Sequence, residues 1–207
     1  MIHVELRDAA VGTGPAAALP PTSADYRSGA VSVVTTEGDQ RPLVLSLVAA
    51  GRMKPDTGTV VPAGLASRVA LVDTPNVAEH PADVRVGVVV REELALAGRR
   101  AGSASARAEL ARLDLGDWMR HPFGTMPAAD RIRLLAELAL LRPGVEALVV
   151  TSPERHGGDP LIWHRVLRRI AARGIAILVV TDAATVRALP DSPSGADDVP
   201  LFESSWS

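Results

Sequence analysis

Two runs of this chain have no polar face at all. Ala147-Leu148-Val149-Val150 and Ile175-Ala176-Ile177-Leu178-Val179-Val180 are apolar at every position rather than at alternate ones. A strand with one face in water alternates, so a strand without a polar side must be covered on both faces. That is the condition of a parallel sheet flanked by helices. Ala30-Val31-Ser32-Val33-Val34-Thr35, behind Gly29, and Val69-Ala70-Leu71-Val72 have the same character, and their β-branched residues favour strand. Residues 2–6 and 59–61 read as further short strands, and residues 12–24, with Pro15, Pro20 and Pro21, read as loop.

Helical periodicity fills the intervals between the runs. Leu43 to Met53 is apolar nearly all round, as in a buried helix. Helices are expected over 85–98 and 105–115, and over 127–141 with Thr125 as N-cap and Ile132, Leu135, Leu138 and Ala139 as the apolar stripe. One more is expected over 160–173, with Leu161, Val166, Leu167 and Ile170 inward, Arg165, Arg168, Arg169 and Arg173 outward, and Gly174 at its C′ position. The expected fold class is therefore α/β, with a mostly parallel sheet covered on both faces. A single domain is expected over residues 1–190. Residues 191–207, with Asp191, Asp197, Asp198 and Glu203 among Ser, Gly and Pro, form an acidic tail expected to be loose.

Composition narrows the function. A net charge of −2 over 207 residues supplies no basic excess to replace phosphate counterions, which argues against nucleic acid as a partner. The chain has no cysteine, so disulfides, Cys-ligated zinc and a thiol nucleophile are excluded. His3, His80, His121, His156 and His164 show no i, i+3 or i, i+4 spacing, and no metal site is expected. No run of about 18 apolar residues is present to span a bilayer. The first residues lack the basic and apolar regions of a signal peptide, so a cytoplasmic location is expected. Lys54 is the single lysine, and any chemistry that needs a lysine must use it.

Ala50-Gly51-Arg52-Met53-Lys54-Pro55-Asp56-Thr57-Gly58-Thr59-Val60 follows a strand, a turn and a buried helix. This order resembles the ATP-binding cassette domain of ABC transporters, in which the P-loop helix runs into Leu-Ala-Gly and then Pro-x-x-Gly. The segment from Asp130 to Pro143 is similar to the helix behind that family's signature sequence. Ala147 to Pro160 resembles its Walker B strand and D-loop, and Ile177 to Asp182 resembles the strand that ends at the switch histidine. The match spans about residues 2–190. It implies a P-loop-NTPase-like fold with a small helical subdomain at about 85–123. It also implies ATP as the ligand, and as partner a membrane permease, a competent cassette subunit or a second copy of the chain. Through a permease, the location would be the inner face of the cell membrane.

The residues that carry the family's chemistry depart from its pattern. A P-loop needs glycines so that backbone N–H groups reach the phosphates, a lysine for the β/γ-phosphates and a hydroxyl for Mg²⁺. Counting back from Gly51 places Pro42 at the lysine and Leu43 at the hydroxyl; a slip of one residue brings Arg41 to the lysine position. Gly38, Asp39, Gln40 and Arg41 are the remaining phosphate-loop candidates. Thr151 stands at the metal-holding Asp, Ser152 at the general-base Glu, and Thr181 at the switch histidine. Met126-Pro127-Ala128-Ala129-Asp130 replaces Leu-Ser-Gly-Gly-Gln, and no glutamine lies near Asp73-Thr74-Pro75-Asn76. Asp159, in the D-loop, matches.

Three functions stay open on this reading. The first is a degenerate cassette acting as a structural or regulatory subunit, with no efficient ATPase activity of its own. The second is a nucleotide-binding ATPase that uses the backbone of Gly38–Arg41, with Arg41 forking onto phosphate oxygens. The third is a protein that binds another small ligand in the vacated cleft. Trp118 and Phe123 are candidates for permease contact. His156 with Asp159 is an acid/base candidate, against the plainer reading of a surface-loop histidine. Ser152 lacks a nucleophile elbow and reads as a strand-end hydroxyl.

Overall fold

A computed structural model describes residues 1–38 and 40–189. The apolar runs form β3 (Val31–Thr35), β5 (Val69–Val72), β6 (Ala147–Thr151) and β7 (Ala176–Thr181), which pair in parallel in the order β3-β7-β6-β5. The tail from Asp191 and the loop residue Asp39 lie outside the described residues.

Both faces of this sheet are covered, as the sequence requires. Leu148, Val150, Ile177 and Val179 face α2 (Val86–Leu96), α3 (Ser103–Arg112), α4 (Ala128–Ala139) and α5 (Pro160–Ala171). Val149, Leu178 and Val180 face α1 (Arg41–Ala49) and a second, antiparallel sheet. That sheet joins β1 (His3–Val11), β2 (Leu19–Arg27) and β4 (Thr57–Val61) in the order β2-β1-β4. The phenol of Tyr26, fully buried on β2, donates to Ala49 O at 2.8 Å and so fastens this sheet to the end of α1.

Several expectations change. Residues 19–24 are strand, not loop: β2 lies at a sheet edge, and Pro20 and Pro21 fall in the irregular interval of its register between Val11↔Leu19 and Ala9↔Thr22. Thr125 does not cap α4. Its hydroxyl donates back to Pro122 O at 2.7 Å, and the helix starts at Ala128 behind Pro127. Leu161 is exposed, because it lies off the face of α5 that buries Trp163, His164, Leu167, Ile170 and Ala171. A short helix, α6 (Ala183–Ala188), follows β7, capped by Asp182 accepting from Thr185 N at 2.6 Å. No helix among the described residues is long and apolar enough to cross a membrane.

The helix after β3 covers one face of the parallel sheet and the helix after β6 covers the other. The connections therefore part at the carboxyl end of β7, which lies between these two strands. Open α/β sheets bind ligands at such a point.

Candidate functional site

The carboxyl ends of the four parallel strands carry the candidate chemistry. At the end of β3, Thr36 N donates to Thr181 O at 3.0 Å and ties the outgoing turn to β7. Gly38 has φ +99, a left-handed conformation open to glycine at little cost. The chain then enters α1 at Arg41 with Pro42 in the first turn and no side-chain cap from Gln40. A free helix N-terminus offers N–H groups to an anion, but proline has none to offer. Arg41 Nη1 is held only by Glu37 O, at 3.3 Å. Gly38, Gln40 and Arg41 line an open cavity of about 430 Å³ together with Glu37 and Ala16–Ala18 of the β1–β2 connection. Lys54 is exposed in the turn beyond α1 and lines none of this cavity.

At the end of β6, Thr151 is fully buried. Its hydroxyl lies 2.8 Å from Ser46 Oγ on α1 and 2.8 Å from Thr74 Oγ1 after β5, and both partners are themselves fully buried. Three hydroxyls thus bridge two strands and a helix in the buried interior. Ser152 follows with φ +47, and its N–H donates to Val180 O at 2.8 Å. On the next strand, Thr181 Oγ1 donates to Glu154 Oε2 at 2.6 Å. Thr151, Ser152 and Thr181 are therefore brought together, while Asp159 is spent elsewhere. Its carboxylate accepts from Leu161 N at 2.9 Å and caps α5.

The centre of this region is a residue to which the sequence reading assigned no role. Asp73, at the end of β5, is 1% exposed and adopts φ +53. Arg131 of α4 binds it through two parallel bonds, Nε to Oδ2 and Nη2 to Oδ1, both 2.9 Å. Arg155 Nη2 lies 3.0 Å from Oδ1 and His156 Nε2 lies 2.7 Å from Oδ2, the imidazole standing out of line for a regular hydrogen bond. Burial by itself would raise the Asp73 pKa; His156, Arg131 and Arg155 together overcome that and hold it well below the usual carboxylate range. Arg155 Nη1 also donates to Thr151 O at 2.8 Å, which joins this ion cluster to the hydroxyl cluster. The pairing of His156 with Asp159 is corrected: the histidine turns inward to Asp73. A cavity of about 480 Å³ opens beside the cluster, lined by Asn76, Glu79, His80, Arg131 and His156 among others. The sequence held one signal for this. Arg131 falls beside Ile132 on the stripe that faces the sheet, where an arginine must find a buried acid.

Phe123 is also corrected as a contact candidate. It is fully buried, 4.1 Å beneath the Arg131 guanidinium and edge-on to His80 at 5.7 Å. A ring sealed in the core by a cation and an imidazole is not presented to a partner. Trp118 is half-buried in the short helical turn after α3, against His121 at 5.4 Å.

The sequence matches no family model and no curated protein. The fold does match solved structures. The ATP-binding subunit of an ABC transporter aligns with a TM-score of 0.57 at 19% identity, over 89% of this chain and 81% of that one. The ATP-binding protein of an ABC transporter from Pyrococcus furiosus aligns with a TM-score of 0.58 at 14% identity, over 87% of this chain and 92% of that one. What this chain shares with both is the α/β fold, a parallel four-stranded sheet flanked by helices.

Proposed function

We propose that this protein is a degenerate ATP-binding-cassette-like subunit. It acts in structure or regulation beside a membrane permease or a competent cassette partner, at the inner face of the cell membrane. Thr151 carries the reading. The resemblance puts a metal-holding carboxylate at this strand end, and the chain has a hydroxyl there whose bonds to Ser46 and Thr74 are internal. The neighbouring acid, Asp73, is neutralised by two arginines. Pro42 takes an N–H from the turn that would hold phosphate. The donor set does not fit a Mg²⁺–triphosphate group. The region of residues 85–123, with Trp118 half-exposed, is the proposed partner face within a single domain of residues 1–190. Titration of the purified chain with Mg-ATP by calorimetry, together with a phosphate-release assay, tests the reading. Absence of micromolar binding and of turnover is expected; binding with turnover sinks it.

One observation favours a second reading, nucleotide binding without standard chemistry. Gly38, Gln40 and Arg41 do line one cavity, and Arg41 has a single weak tie. Under this reading Arg41→Ala abolishes nucleotide binding, and unaltered binding removes Arg41 as the phosphate ligand. A ligand other than nucleotide in the same cleft would raise the melting temperature where ATP does not.

A further inference from the structure

Between Asp159 and Asp182 the chain has no acidic residue and four arginines, Arg165, Arg168, Arg169 and Arg173. The first three lie on one side of α5, and Arg173 follows its last turn. The other side of the helix buries Trp163, Leu167, Ile170 and Ala171 in the core. Residues three, four and seven apart share a helix face. Leu161, Arg165 and Arg168 therefore form one exposed row, and Ile162, Arg165 and Arg169 the row beside it. Each row starts in an aliphatic side chain and continues in guanidinium groups over roughly 12 Å. Arg187 is exposed on α6, which packs beside α5.

The fold leaves this charge unanswered. Arg173 pairs with Glu137, but Arg168, Arg169 and Arg187 have neither an ion pair nor a side-chain hydrogen bond among the described residues. Arg165 is tied only to its own helix, donating to Leu161 O at 3.4 Å. The acids of the adjoining elements are engaged elsewhere. Glu137 also meets Arg112, Glu154 accepts from Thr181, Asp130 faces Arg133, and Asp159 and Asp182 cap α5 and α6. Arg168 and Arg169 complement the carboxyl end of their helix, which is reason enough for two cations there. It accounts neither for Arg165 in mid-helix nor for Leu161 and Ile162, which are 37% and 43% exposed.

We propose that this face of α5 adsorbs to an anionic lipid bilayer. The guanidinium groups bind lipid phosphates, and Leu161 and Ile162 enter the headgroup layer. A guanidinium fork matches phosphate oxygens, and each arginine at an anionic leaflet adds about fivefold to the affinity. The face is the convex outer side of a helix, and none of these side chains lines either cavity described above. Peptides dock in grooves or on sheet edges, so a flat charged surface fits this face better than an acidic peptide does. The apolar side of α5 stays in the core, so the contact is peripheral and the helix does not insert. The proposal is independent of how the nucleotide cleft is read, and it needs no permease.

Co-sedimentation of the full chain with vesicles tests the proposal. The chain should bind vesicles of equal parts phosphatidylcholine and phosphatidylglycerol, and should not bind vesicles of phosphatidylcholine alone. Raising salt from about 0.1 M to about 1 M should release it, because the screening length falls from about 10 Å to about 3 Å. Arg165→Glu/Arg169→Glu should lower the partition coefficient at least about 25-fold, about fivefold for each arginine lost. Arg52→Glu/Lys54→Glu makes the same change in net charge in the exposed turn beyond α1, which covers the opposite face of the sheet. That variant should stay within about twofold of the native chain, since distant charges are screened. Leu161→Ser/Ile162→Ser keeps the charge and should cost at least about fourfold, the effect of one buried methylene. Thermal melts check that each variant is folded. Failure to bind the anionic vesicles, equal binding to the neutral ones, or equal losses in the two charge variants overturns the proposal. So does binding to polyglutamate without binding to vesicles, which assigns the face to an acidic polypeptide. The vesicles hold neither permease nor nucleotide, so a failure here leaves the proposed function standing, and Mg-ATP turnover would leave this proposal standing.

Discussion

At the scale of single residues, Asp73 is the most consequential side chain in the molecule. Two arginines and a histidine surround a carboxylate with almost no solvent. Asp73→Asn would leave Arg131 as a buried charge without a counterion, while Arg155 keeps Glu79 at 3.4 Å, at a cost of about 3–5 kcal/mol at neutral pH. Urea denaturation measures this directly. The pH dependence has a definite sign. The folded pKa is depressed, so the stabilisation is present above the unfolded value of about 3.9 and is lost as pH falls towards the folded one. The gap between native and variant should therefore narrow below about pH 4. His164, 3% exposed on α5, acts in a higher range. Burial pushes its pKa down, with Arg168 adding to the effect. The folded chain therefore takes up a proton at this ring less readily than the unfolded chain, which does so below about pH 6.5. Stability should fall from pH 7 to pH 5 by at most about 1.4 kcal/mol per pH unit from this group, and His164→Gln should flatten that slope. The sequence placed His164 in a helix but could not orient it, since burial of a polar residue is set by what packs on it.

At the scale of elements, the hydroxyls of Ser46, Thr74 and Thr151 act as a joint between α1, β5 and β6. Thr151→Val keeps the shape and removes the shared partner. Two buried hydroxyls are then left short of a bond, and the expected loss is about 1–3 kcal/mol for each. A matching Ser46→Ala change should cost less, because Thr151 and Thr74 keep their mutual bond. Thermal melts of the two variants separate these outcomes. The β1–β4 pair depends on a different constraint. Gly58 has φ +77, and a Cβ built there would clash with the carbonyl oxygens of Arg7 and Asp8, at the irregularity in the β1–β4 register. Gly58→Ala should cost about 1–3 kcal/mol from the backbone conformation alone, with the clash added, read as a lower midpoint in denaturant. Parts of β1 and β4 were legible as short strands, whereas β2, which carries Pro20 and Pro21, was not. The pairing of β1 with β2 and β4 was not legible either, because antiparallel partners are chosen by register across long loops rather than by local pattern.

For the whole molecule, the prediction concerns ligand linkage. A ligand bound only to the folded state raises stability by RT ln(1 + [L]/Kd), so 1 mM Mg-ATP with Kd at or above 1 mM adds no more than about 0.4 kcal/mol. Under the proposed function the melting temperature should be nearly unchanged by Mg-ATP; a rise of several degrees would favour the nucleotide-binding reading instead. The chain itself determined that β6 and β7 are covered on both faces, and with them the α/β class, since an all-apolar strand has no other stable setting. It also determined which residue types stand at the strand ends, because Thr151, Ser152 and Thr181 follow directly from the runs they terminate. Tertiary structure alone decided what those ends do. Asp73, Arg131 and Arg155 are separated by 58 and 24 positions in the chain and meet only because β5, α4 and the turn after β6 converge at one edge of the fold. Whether a charge or hydroxyl is free to act depends on the neighbours that desolvate and bond it, and those neighbours are assigned by folding, not by spacing in sequence.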